Sequence, residues 1–167
     1  SCFKGDDDCA PSHQEKVNGL SWVSSNMVVN ASHIQPVVNV NANYTALIPF
    51  AFLPELNSTE VKYNASQQWW GETEEGIRVT AQLLADKNVK RLLKPQIWVL
   101  GGKFVGFIKM DNEADWKTFE KSYEDFILFY AKIAEEEGIE MFSIGTEMKT
   151  MVLERPQFWV ELITKVK

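Results

Sequence analysis

The chain has 167 residues, is 45% hydrophobic and carries a net charge of −6. That balance suits one globular domain with a sizeable core and argues against a nucleic-acid partner, which needs a basic face. Only two histidines and two cysteines are present, neither pair at metal-ligand spacing, so no zinc site or other cofactor is expected.

No apolar run approaches the length of a membrane-spanning helix. Residues 1–14 show no periodicity and read as a flexible or tethered leader to a domain over 15–167. Two readings of Cys2 compete there. A Cys2–Cys9 disulfide would close a short loop and needs an oxidising compartment. Alternatively, Ser1-Cys2 resembles the end of a bacterial lipoprotein signal, with Cys2 lipidated and acting as a membrane tether. Both point to export, to an extracellular, periplasmic or outer-membrane location.

Four strand–helix units follow. The first strand is expected at 17–23, with Ser21 and Trp22 near its end. A short helix is expected at 32–39, with Ser32 as its cap. The second strand, 44–50, is a near-continuous apolar run of the buried parallel type, closed by Pro49. A long loop, 51–71, holds Trp69 and Trp70, and loops of that length are usually functional. The second helix is expected at 73–87, with Glu74 and Glu75 in the first turn, where the helix dipole favours acids. Glu72 follows Trp70-Gly71, where it could bind substrate, but it lies just before the helix start and capping is the preferred reading. The third strand is expected at 90–98, interrupted at Pro95. A third helix, 113–137, repeats Trp116, Phe119, Tyr123, Phe126, Ile127, Tyr130 and Ile133 at three- and four-residue steps, and Gly138 ends it. The fourth strand is 139–144, and Pro156 opens the fourth helix.

The β-α alternation implies parallel strands with right-handed crossovers. No glycine-rich dinucleotide fingerprint follows the first strand. A (β/α)8 TIM barrel usually takes about 250 residues, so four units read as its N-terminal half. At the strand C-termini, where barrel enzymes keep their chemistry, lie Trp22, Gln96, Trp98 and Glu147. Trp70 joins them from the long loop. Indole faces stack on sugar rings, amides bind hydroxyls, and glycoside hydrolysis needs two carboxyl groups. A serine nucleophile would need a histidine base, and neither histidine is placed for it.

The stretches Leu47-Ile48-Pro49-Phe50, Gln68-Trp69-Trp70-Gly71-Glu72, Leu93-Lys94-Pro95-Gln96-Ile97-Trp98, Ile144-Gly145-Thr146-Glu147 and Arg155-Pro156-Gln157-Phe158-Trp159 together resemble glycoside hydrolase family 113. The resemblance implies a clan A TIM barrel that hydrolyses β-glycosides with retention, of β-mannanase type. It further implies that Glu147, closing the fourth strand, is the catalytic acid/base. Thr146 stands where the clan commonly has Asn. The nucleophile glutamate of the clan closes the seventh strand, in a C-terminal half that these residues do not include.

The expectation is thus an exported retaining hydrolase of a β-linked polysaccharide such as mannan, with Glu147 catalytic and Trp22, Trp70, Gln96 and Trp98 binding substrate. This chain alone would be an inactive fragment, its partner being the C-terminal half of the barrel. A non-catalytic carbohydrate-binding surface protein on the same scaffold is the rival, and a half-barrel that dimerises is a third possibility.

Overall fold

The computed structural model describes residues 16–66 and 68–167. The leader, with both readings of Cys2 and Cys9, lies outside the described residues. Strands β1 (Gly19–Trp22), β2 (Tyr44–Leu47), β3 (Phe50–Leu53), β4 (Lys90–Leu93), β5 (Gln96–Val99) and β6 (Met141–Phe142) fall into two parallel groups. The larger runs β1-β2-β4-β6 and the smaller pairs β3 with β5.

The order of the four-stranded sheet never reverses. Each right-handed crossover therefore lands on the same side, as in one arc of a barrel and unlike a doubly wound sheet. Side-chain parity agrees. Thr45, Leu47, Arg91 and Leu93 are buried beneath the helices, while the alternating Tyr44, Ala46, Lys90 and Leu92 are half-buried on the inner face.

The two sheets are one ladder with a break. Tyr44 pairs with Lys90 and Phe50 with Gln96, at the same offset. Continuing that offset through the gap sets Pro49 opposite Pro95. Neither proline has an N–H to donate, so the ladder cannot run through them. Lys94 N–H to Leu47 C=O (2.8 Å) and Gln96 N–H to Pro49 C=O (2.9 Å) carry the pairing across. This corrects the expected single strands at 44–50 and 90–98. It also corrects the long loop, whose first three residues belong to β3. Gln96 and Trp98 thus lie on the two-stranded extension beyond the main sheet.

Helix α1 (Ala31–Asn39) is capped by Asn30, not Ser32. The Asn30 side chain accepts from Ser32 N–H, and the His33 ring accepts from Asn30 N–H, so this histidine has a structural task. Helix α2 (Glu74–Ala85) is capped by Thr73, whose hydroxyl accepts from Gly76 N–H. The expected cap, Glu72, does not cap this helix. Helix α3 (Glu113–Glu136) buries all seven apolar residues of the expected stripe, each contributing ~1.5–3 kcal/mol by the area it removes from water. It ends in a Schellman turn: Ile139 N–H reaches Ala134 C=O, Gly138 N–H reaches Glu135 C=O, and Gly138 sits at φ 60°. A short helix, α4 (Lys149–Glu154), was not evident from the sequence and precedes α5 (Pro156–Val166). Arg155 joins them and clamps Glu113 and Glu120 of α3 at 2.8 and 2.6 Å.

Candidate active site

The fourth strand stays in the ladder only to Ser143, whose N–H reaches Leu93 C=O at 2.9 Å. Beyond it the backbone is pinned residue by residue. The Tyr123 hydroxyl donates to Ile144 C=O (2.9 Å), and the Ser143 hydroxyl donates to Gly145 C=O (3.1 Å). Gly145 admits the Trp159 ring: a Cβ there would lie 2.8 Å from it. Glu147 C=O accepts from Lys149 N–H at 2.9 Å, which starts α4.

Glu147 itself takes φ 59°, a left-handed conformation that costs a residue with a side chain about 1–2 kcal/mol. Strain of this kind persists where surrounding contacts over-determine it, and it clusters at functional sites. Its side chain is exposed.

Glu147 opens onto a cleft of about 290 Å³ that it shares with Phe50, Gln96, Trp98, Lys103 and Phe104. Lys103 pairs with Glu55. Phe104 rests edge-on against Phe107, centroids 5.3 Å apart. A second cleft of about 420 Å³ lies on the other side of Phe50 and Trp98, lined also by Phe52, Gln68, Trp69 and Glu72. Strand parity builds both walls. Phe50, Phe52, Gln96 and Trp98 share the open face of the β3–β5 pair, while Ala51, Leu53, Ile97 and Val99 are buried on the other. Phe50 and Trp98 meet edge to face at 6.2 Å, and Trp98 keeps 50% of its surface exposed.

Of the expected site residues, the structure brings together Gln96, Trp98 and Glu147. It places Trp22 and Trp70 elsewhere. Trp22 pairs with Leu47, which pairs with Leu93, and both leucines are fully buried, so the indole lies on the helix side against the core. Trp70 lines a separate groove with Asn64, Thr73 and Arg78. Its neighbour Trp69, 53% exposed, lines the second cleft instead. Two close approaches set that choice. A Cβ on Gly71 would lie 2.9 Å from the Ser25 backbone nitrogen, and one on Gly76 would lie 2.0 Å from the Trp70 carbonyl oxygen.

For Glu72 the sequence sets substrate binding beside capping and favours capping, but Thr73 takes the cap. Glu72 is 7% exposed, and burial pushes its carboxyl up to about 7. Its backbone carbonyl accepts from the buried Tyr130 hydroxyl at 3.0 Å, which fixes the turn beneath the cleft. An indole–indole–glycine–glutamate run in a loop was the available signal, and the helix start that follows masked it.

The family model described as Glycoside Hydrolase Family 113 matches residues 24–167. Among solved structures, a GH113 β-1,4-mannanase is 23% identical with a TM-score of 0.77, over 90% of this chain and 51% of that one. The β-mannanase AaManA from Alicyclobacillus acidocaldarius, in complex with ManMIm, is 22% identical with a TM-score of 0.81, over 90% and 50%. No curated protein sequence matches. The chain spans about half the length of these structures. Its strands and helices are the first four units of a (β/α)8 TIM barrel.

Proposed function

Because the chain belongs to glycoside hydrolase family 113, we propose that it supplies the acid/base half of a retaining β-glycosidase, with Glu147 as the proton donor. One observation carries this: an exposed carboxyl at the fourth strand end, held in a strained backbone turn, opens onto an aromatic cleft with an amide beside it. Glu147 protonates the glycosidic oxygen as the bond breaks, then removes a proton from the water that releases the sugar. The nucleophile is a second carboxylate about 5–5.5 Å away. It comes from strands beyond this sequence, as the half-length match to the related structures suggests.

Gln96 binds a hydroxyl of the sugar and Trp98 stacks on its ring. The substrate is a β-linked mannose polymer, in keeping with the mannanase activity named for two of the similar structures. The protein is exported through its leader, with Cys2 lipidated or paired with Cys9, to where such a polymer is met. Residues 16–167 alone are inactive, since they lack the second carboxylate.

The test is release of reducing sugar from β-1,4-mannan. The protein carrying the complete barrel should cut it, and residues 16–167 should not. A complete barrel that binds mannan without cutting it supports the second reading, a non-catalytic carbohydrate-binding protein. That reading is favoured by Thr146, which stands where related enzymes commonly carry Asn.

A further inference from the structure

We propose that Tyr123 is a positioning residue for the reaction: its hydroxyl holds Ile144 C=O and, with the Trp159 ring against Gly145, fixes the turn that aims the Glu147 carboxyl. This rests on the acid/base reading above and deepens it.

Glu147 sits where the sheet no longer holds it. The last ladder bond of its strand is Ser143 N–H to Leu93 C=O, and the Glu147 side chain is exposed. A proton donor must meet the oxygen it protonates at about 2.6–3.2 Å, so the backbone beneath it has to be fixed by other elements. Tyr123 of α3 donates to Ile144 C=O at 2.9 Å. A Cβ on Gly145 would lie 2.8 Å from the Trp159 ring and 3.3 Å from the Tyr123 hydroxyl, so both groups crowd the same backbone position. From the loop before α3, Gly106 comes so close that its Cβ would lie 3.0 Å from the Glu147 carbonyl oxygen. Thr150 of α4 in turn donates to Gly106 C=O at 2.7 Å. Contacts of this kind are what keep a glutamate at φ 59°.

Tyr123 is itself held. It is 1% exposed, and the rings of Phe126, Phe158 and Trp159 stand around it with centroids 5.9, 6.1 and 5.7 Å away. These rings set where its hydroxyl lies, so the bond to Ile144 transmits a position and does more than satisfy a buried phenol. Burial pushes the phenol above its ordinary value, so it keeps its proton and stays a donor wherever a carboxylic acid can work.

The experiment uses the protein with the complete barrel. Tyr123→Phe removes one oxygen and keeps the ring packing. On β-1,4-mannan its kcat should fall about tenfold to a hundredfold, the scale of a small misplacement of a reacting group, with KM little changed. On an aryl β-manno-oligoside with a good leaving group, whose first step needs no proton, kcat/KM should stay near wild type. A general loss of folded protein cannot produce that split, because it lowers both rates alike. Trp159→Phe, which keeps the phenol and opens space beside Gly145, should show the same split, and it decides the question if Tyr123→Phe misfolds. Unchanged mannan turnover, or an equal loss on both substrates, overturns the positioning role. Glu147→Gln is measured alongside. If it shows the split and Tyr123→Phe does not, the positioning role alone fails. If Glu147→Gln shows no split, the acid/base reading fails with it.

Discussion

Glu72→Gln should remove one pH-dependent contribution to the stability of the protein. Burial holds the Glu72 carboxyl at about 7 in the fold, against an ordinary 4.5. The folded state therefore holds the Glu72 proton more tightly than the unfolded chain does. Its contribution to stability is complete below about pH 4.5 and is lost as pH rises through about 7. When fully lost, it amounts to about 3 kcal/mol, at 1.36 kcal/mol per tenfold change in proton affinity. Gln is nearly the same shape and never ionises. Urea unfolding of the two proteins from pH 4.5 to pH 9 should show near-equal stability at the acid end. The Gln variant should gain steadily from about pH 4.5 to about pH 7 and level off at that difference above it. A constant difference across the range would refute the reasoning, because it would mean that Glu72 ionises in the fold as it does in water.

Three further outcomes follow from the same geometry. Trp98→Ala should weaken manno-oligosaccharide binding by about 1–3 kcal/mol, if stacking resembles other ring-on-aromatic contacts; titration calorimetry measures it. Glu147→Gly should stabilise the fold by about 1 kcal/mol in denaturant unfolding while abolishing activity, since glycine takes φ 59° without strain. Gly76→Ala should cost about 1–3 kcal/mol, because its methyl would meet the Trp70 carbonyl at 2.0 Å. It should also weaken sugar binding by shifting the turn that carries Trp69 and Glu72.

Helix α3 was legible because its stripe of seven apolar residues is periodic and Gly138 supplies the left-handed end. The barrel was legible because parallel strands alternating with helices leave few topologies. The broken ladder was not. Pro49 and Pro95 each read locally as the end of a strand. That pairing resumes beyond both at one offset depends on a partner 46 residues away. Trp69 and Trp70 are adjacent, and which one meets the cleft is decided by Gly71 against Ser25 and Gly76 against Trp70, contacts with no local signature. Trp22 lies away from the cleft for a simpler reason: strand parity gives Ser21 the inner face and Trp22 the outer one, and only the pairing with Leu47 reveals which is which. Helix α4 is six residues long, too short for a periodic pattern to register.

The proposed mechanism depends on Glu147 as the proton donor. In the protein carrying the complete barrel, Glu147→Gln keeps the shape of the side chain and removes the proton. A general acid contributes about two to four orders of magnitude in rate. Initial rates on β-1,4-mannan should fall by that much. The first step on an aryl glycoside with a good leaving group, which needs no protonation, should fall far less. Equal rates for wild type and Glu147→Gln on mannan would contradict the assignment.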